Sequence, residues 1–156
     1  MSGHETILGH LATWGLSQRY EDTATEGLAF LLRRDPTLRK QFVALLQKAQ
    51  PGLPDNLRFT TQETFDGCRI DMCGRTDSGA PVFIENKFWA ALTGNQPVAY
   101  LERLARQQVP SLLLFIVPER RRASLWPELL SRLTAGGVAY QAAGAHRVEI
   151  VGTQHS

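Results

Sequence analysis

Three consecutive segments between Arg58 and Trp89 read as β-strands, joined by turns too short to hold any other element. Arg58 to Phe65 (RFTTQETF) is rich in Thr and Phe. Cys68 to Gly74 (CRIDMCG) follows it after Asp66-Gly67, and Pro81 to Trp89 (PVFIENKFW) follows after the turn TDSGA. An Asp-Gly pair is a tight hairpin signal, and β-branched and aromatic residues suit a pleated surface. Strands joined this closely run antiparallel, because a parallel pair needs a crossover of about a dozen residues or more. The middle of the chain is therefore expected to be an antiparallel meander.

The flanks have a different period. Thr23 to Gln50 places Leu28, Leu31, Leu32, Phe42, Leu45 and Leu46 at helical spacing, and Asp35-Pro36 divides the segment into two helices. The stretch AQPGLPDN, Ala49 to Asn56, is loop chemistry. After the meander, Thr93 is the expected N-cap of a helix over Gln96 to Gln107, with Val98, Leu101 and Leu104 on one face. Ser111 to Val117 (SLLLFIV) is almost continuously apolar, the pattern of a strand buried on both faces inside a sheet. Ser124 to Leu133 reads as a helix closed by Gly136-Gly137, and Val138 to Tyr140 and Val148 to Val151 as edge strands. The expected class is α/β: a mixed sheet flanked by helices, in a single domain of 156 residues with its core over about 23–117 and a peripheral helix and edge strands over 118–156.

Composition narrows the setting. No apolar run approaches the ~20 residues that span a bilayer, and the start MSGHETILGHLATWG lacks the basic and apolar regions of a signal peptide. The expectation is a cytoplasmic protein without a membrane partner. Cys68 and Cys73 lie on one expected strand, where an extended backbone holds them too far apart for a disulfide. His4, His10, His146 and His155 are scattered, so no Cys/His zinc spacing arises and the thiols are expected reduced. The formal net charge of +2 permits a nucleic-acid partner without requiring one, and Arg120-Arg121-Arg122 reads as a solvated loop or helix start.

The chemistry lies on the second and third strands. Side chains alternate between faces along a strand. On the third, Val82, Ile84, Asn86 and Phe88 point one way, and Phe83, Glu85, Lys87 and Trp89 the other. Glu85 and Lys87 thus share a face. On the second, Asp71 faces away from Ile70 and Met72, and pairing through the TDSGA turn lays it beside Glu85. Two carboxylates and a lysine then cluster among strong strand formers. Like charges repel and desolvation adds to the cost, and a divalent cation relieves both. Magnesium accepts one or two carboxylates and keeps several waters. Gln96 and Tyr100 are four apart on the following helix and share its face, with Pro97 in the first turn. Trp89 is expected in the core rather than stacked on a base.

With these residues in view, the sequence resembles the PD-(D/E)XK nuclease superfamily. The shared pattern is an Asp on one strand (CRIDMCG), Glu-x-Lys on the next (VFIENKFW) and the order α-β-β-β-α-β. Gln96-Pro97-Val98-Ala99-Tyr100 is similar to the Gln-x-x-x-Tyr motif of the subset that includes nuclease domains of recombination helicase–nucleases. The resemblance covers roughly Thr23 to Val117. It departs in lacking a Pro before the Asp, where Ile70 stands. Asp66 is a rival for the metal Asp, but it belongs to a turn-forming Asp-Gly pair.

The resemblance implies a restriction-endonuclease-like core and a Mg²⁺ (or Mn²⁺) dependent nuclease acting on phosphodiester bonds, in DNA by most relatives. It implies catalytic Asp71, Glu85 and Lys87, and metal ligation by Asp71, Glu85 and the backbone carbonyl of Asn86. Glu26, in ATEGLAFLL, matches the first-helix Glu that many members place near the metal. Gln96 and Tyr100 are expected to line the substrate groove and steady the lysine or the strand backbone. The partners expected are a larger defence, repair or mobile-element assembly of which this chain is a module, or a second copy: a homodimer would supply the second site for a double-strand cut. The competing expectation is a catalytically inactive nucleic-acid-binding or assembly module on the same fold.

Overall fold

The computed structural model describes residues 18–88, 90–94 and 96–141. The meander forms as expected: β1 (Arg58–Phe65), β2 (Cys68–Thr76) and β3 (Gly79–Asn86) pair antiparallel in sequence order. Phe65 pairs with Cys68, so the first turn is only Asp66 and Gly67, with φ of 51° and 78°. Two successive positive φ values are what a tight primed hairpin turn requires, and Asp and Gly tolerate them.

Two helices precede the meander, α1 (Gln18–Arg34) and α2 (Pro36–Ala49), with the break at Asp35. Asp35 is an N-cap: its Oδ1 accepts the N–H groups of Thr37 and Leu38 at 2.9 and 3.0 Å, and Pro36 opens the helix. Three elements follow the meander: α3 (Val98–Ala105), β4 (Leu112–Ile116) and α4 (Glu119–Gly136). β4 adds parallel to β3, giving a four-stranded mixed sheet of order β1-β2-β3-β4. α4 is longer than the sequence spacing indicates and takes in the Arg120–Arg122 run. It ends where Gly137 adopts φ 65°, the left-handed conformation that closes helices.

The sheet is covered on both faces. α1 and α2 bring Ala29, Leu32, Val43 and Leu46 against Phe59, Met72, Val82 and Ile84. On the other face α3 brings Tyr100 and Leu104 against Ile70, Cys73 and Phe83. Burying each large apolar side chain contributes about 1.5–3 kcal/mol, which favours this layering over an open sheet. α4 supplies a third cluster, where Leu125 and Leu129 meet Leu92, with Phe115, Val117 and Trp126 beside them.

Several expectations are corrected. β4 is an edge strand of the described sheet, and its residues are half-buried rather than buried. Its apolar run still has a cause: Leu112, Leu114 and Ile116 pack into one core, and Leu113 and Phe115 into the clusters of the other face. Val138 to Tyr140 forms no strand, and Val148 to Val151 lies outside the described residues. Thr93 caps nothing; α3 starts at Val98, with Pro97 at its N-cap. Trp89 and the four histidines lie outside the described residues. Cys68 and Cys73 are free thiols, and burial pushes Cys73 up to about 12, the mark of an inert core thiol. Among the described residues no helix is long and apolar enough to cross a membrane.

Candidate active site

The register Met72 with Ile84 sets Asp71 opposite Glu85. The regular β2–β3 ladder stops at this point. The N–H of Asn86 donates instead to Asp71 Oδ2 at 2.9 Å, so a side chain takes over the strand's hydrogen bond. Ile70 and Met72, two positions apart on β2, belong to cores on opposite faces of the sheet. The strand thus departs from strict alternation across Asp71, which stands where the two strands part.

Glu85 is 4% exposed and Lys87 5% exposed, both unusual for charged side chains in a core. Lys87 Nζ lies 3.1 Å from Glu85 Oε1. The same oxygen accepts Gln96 Nε2 at 2.6 Å. Glu85 Oε2 is buried with no hydrogen-bond partner. One carboxylate oxygen is therefore pinned by two protein donors and the other is left bare, an arrangement that costs about 1–3 kcal/mol or more unless something external compensates it.

The second amide hydrogen of Gln96 goes to Tyr100 Oη at 2.8 Å, and the Tyr100 hydroxyl donates to the Arg69 carbonyl at 2.8 Å. Gln96 Oε1 accepts the Thr93 N–H at 3.1 Å. Gln96 and Tyr100 are 3% and 4% exposed. They lie behind Glu85 and tie it to β2, rather than forming an open groove wall as expected; the amide and hydroxyl are already committed inward.

The expectation for Glu26 fails. Its side chain is 51% exposed and lies 3.8 Å from Arg33 along the helix surface. The buried stripe of α1 runs through Glu21, Thr25, Ala29 and Leu32, so Glu26 falls one residue, about 100° of helix rotation, beyond Thr25. The α1 acids whose charges act on Asp71 are Asp22 and Glu21. Glu21 is buried and accepts the Ala90 N–H at 3.1 Å, while Asp22 pairs with Arg69 at 3.1 Å. Thr25 donates to the Glu21 carbonyl and accepts Asn86 Nδ2, which joins α1 to the end of β3. Working back from Leu32 in helical steps reaches Leu28, Thr25 and Glu21, so the signal for this stripe was present in the sequence.

Electrostatics match the geometry. Burial raises the Asp71 carboxyl above its ordinary range; the Asn86 N–H and Lys87 pull it down, and Asp22 and Glu21 push it up. Burial also raises Glu85, Asp71 adds to this, and Lys87 and Gln96 oppose it. One lysine thus faces the buried Glu85 and the half-buried Asp71, with Glu21 and the Arg69-paired Asp22 acting on Asp71 from α1.

The donor set suits a hard cation that asks for few protein ligands. Among the described residues no group of three or more His, Cys, Asp and Glu is gathered for a metal ion. Magnesium requires only one or two carboxylates, and the site offers Asp71 and the bare Glu85 oxygen. Asn86 supplies a third oxygen on the same side. The Lys87 N–H points to Ile116 O of β4 at 3.0 Å. The carbonyl of Asn86, in the same planar trans peptide, points oppositely, toward Asp71. Asp66, the rival carboxylate, is held at the surface by Arg103 and Arg106 at 3.3 and 3.0 Å. Set against protein-family models, curated proteins and solved structures, the chain matches none.

Proposed function

We propose that this protein is a divalent-metal-dependent nuclease with a restriction-endonuclease-like core, hydrolysing phosphodiester bonds in DNA. The observation that carries this reading is the half-satisfied Glu85 carboxylate: Oε1 is held by Lys87 and Gln96, Oε2 is buried and unpartnered, and the charge of Asp71 acts on the group. The order α-β-β-β-α-β, with Asp71 on β2 and Glu85 and Lys87 at the end of β3, supports it, as does the resemblance to the PD-(D/E)XK superfamily.

Asp71, Glu85 Oε2 and the Asn86 carbonyl would hold Mg²⁺ or Mn²⁺. When bound, such an ion lowers the pKa of a coordinated water and neutralises phosphate charge. In the hydrolysis, a water oxygen bonds to phosphorus, the phosphorus–oxygen bond to the leaving strand breaks, and the leaving oxygen gains a proton. Lys87 contributes ammonium hydrogens to the oxygens on which negative charge grows. Gln96 and Tyr100 hold Glu85 and β2 in register. Glu21 and Asp22, rather than Glu26, set the charge on the helix side.

The test is cleavage of labelled single- and double-stranded DNA and RNA with Mg²⁺, Mn²⁺ or EDTA, for the wild type and Glu85→Gln. Cutting of DNA that needs metal and disappears in Glu85→Gln is expected. Metal-independent cutting, or equal cutting by a folded Glu85→Gln protein, would overturn the assignment. Binding of nucleic acid without cutting would favour the inactive binding module.

A further inference from the structure

The chain from Lys87 to Pro97 joins β3 to α3 without regular secondary structure among its described residues, yet it carries both donors that pin Glu85. Backbone carbonyls outside a ladder need partners when they are partly buried. Here helix α4 supplies them at both ends. Arg121 Nη1 donates to the Lys87 carbonyl at 2.8 Å and to the Ala90 carbonyl at 2.9 Å. Arg132 Nη1 donates to the Gln96 carbonyl at 3.1 Å and also to the Thr93 carbonyl. Between them Leu125 and Leu129 pack on Leu92, the middle of the segment. Residues 121, 125, 129 and 132 recur at helical spacing, so one stripe of α4 grips the segment at its start, middle and end.

We infer that Arg121 is a positioning residue for the reaction: it fixes the backbone of Lys87, and through α4 the end of β3, so that the ammonium stays on Glu85 and aimed at the reacting phosphate. This rests on the nuclease reading. A guanidinium suits the task because one planar Nη1 amine donates its two hydrogens to the two carbonyls in a fixed geometry and the group is never deprotonated. Lysine at this position offers a point charge instead. Arg121 touches neither carboxylate at the site, so its loss is expected to act on turnover rather than on metal or substrate affinity.

The experiment compares wild type, Arg121→Ala, Arg121→Lys and the packing control Leu125→Ala, each assayed well below its own melting temperature. Displacing a catalytic group by about 1 Å commonly costs on the order of a hundredfold in rate. A fall of that size in kcat is expected for Arg121→Ala, with KM for DNA and the Mn²⁺ midpoint nearly unchanged. Arg121→Lys is expected to recover part of the loss, and millimolar guanidinium part of it in Arg121→Ala alone. A folded Arg121→Ala protein with near-wild-type kcat, or one that loses only as much as Leu125→Ala without rescue, would overturn the inference. Amide hydrogen exchange over Lys87 to Ala91 is read in the same four proteins. Faster exchange in Arg121→Ala supports the clamp, and unchanged exchange overturns it whatever the activity. A wild type that does not cut, but whose Arg121→Ala variant loses protection, overturns the nuclease reading and leaves the clamp standing.

Discussion

Lys87 Nζ and Glu85 Oε1 lie 3.1 Å apart with both side chains 6% exposed, and that same oxygen is the one Gln96 holds. The pair therefore spends the lysine on one side of the carboxylate and leaves the other side, Oε2, bare. Removing one partner of a buried ion pair is strongly destabilising, about 3–5 kcal/mol, because the survivor is a buried charge without compensation. Lys87→Ala is thus expected to lower the melting temperature in EDTA and to regain much of it with Mg²⁺ or Mn²⁺. Turnover should stay low throughout, by roughly a hundred- to thousandfold, the usual effect of losing one donor that stabilises a transition state. Thermal melts beside single-turnover cleavage check this. A metal-saturated, stable Lys87→Ala protein that cuts normally would remove Lys87 from the mechanism.

Divalent metal should raise the melting temperature of the wild type, since a ligand of the folded state stabilises it by mass action. Asp71→Asn should abolish most of that rise. Asp66→Asn should not, because Asp66 is tied to Arg103 and Arg106. Melts over a Mn²⁺ titration decide between them.

The raised carboxyls give a pH dependence of known sign. Asp71 and Glu85 have ordinary values of 3.8 and 4.5, and both are higher in the fold. The folded state therefore binds these protons more tightly than the unfolded chain does. Their contribution to stability is fully present below the ordinary values and is lost as pH rises through the raised ones. Without metal, Asp71→Asn, which keeps an oxygen for the Asn86 N–H, should be more stable than wild type at neutral pH. The difference should shrink as the solution is acidified. Denaturant melts of both proteins in EDTA from pH 4 to pH 8 measure it; a difference that grows on acidification has the wrong sign.

Tyr100→Phe removes the donor to the Arg69 carbonyl and the acceptor for Gln96 in one step. Leaving buried polar groups unpaired costs about 1–3 kcal/mol. Urea unfolding should show a loss in that range, with reduced cleavage because Glu85 is less firmly held. A neutral result would mean that the Gln96–Tyr100 bridge contributes nothing net.

Glu26→Ala should change little. The side chain is exposed and its partner Arg33 is 51% exposed as well. Surface substitutions of this kind usually stay within about 0.5 kcal/mol, and the Mn²⁺ shift and cleavage rate should match wild type. A lost metal shift in Glu26→Ala would mean that α1 presents a different face to Asp71 in solution.

The strand residues of the site could be read from the chain because the period of a strand is two and strictly local. Asp66-Gly67 set the first hairpin; the second is tighter than the TDSGA segment, with Thr76 paired to Gly79, and Asp71 comes opposite Glu85 only because the ladder shifts by one residue between Gly74 and Thr76. The break at Asp35-Pro36 was as local as the first hairpin. What lay outside reach depends on how elements meet. Helical steps back from Leu32 lead to Thr25 and Glu21 on α1, but only the packing on Phe59, Met72 and Val82 shows that this stripe, and not the neighbouring one with Glu26, is the buried one. The apolar run of β4 reports that both its faces are covered, but not whether a neighbour flanks it, because backbone pairing leaves no trace in side-chain polarity. Least visible of all was the grip of Arg121 on the Lys87 carbonyl. Arginine-rich runs look alike whether they face water or a backbone, and here the docking of α4 on Leu92 brought the guanidinium to the end of β3.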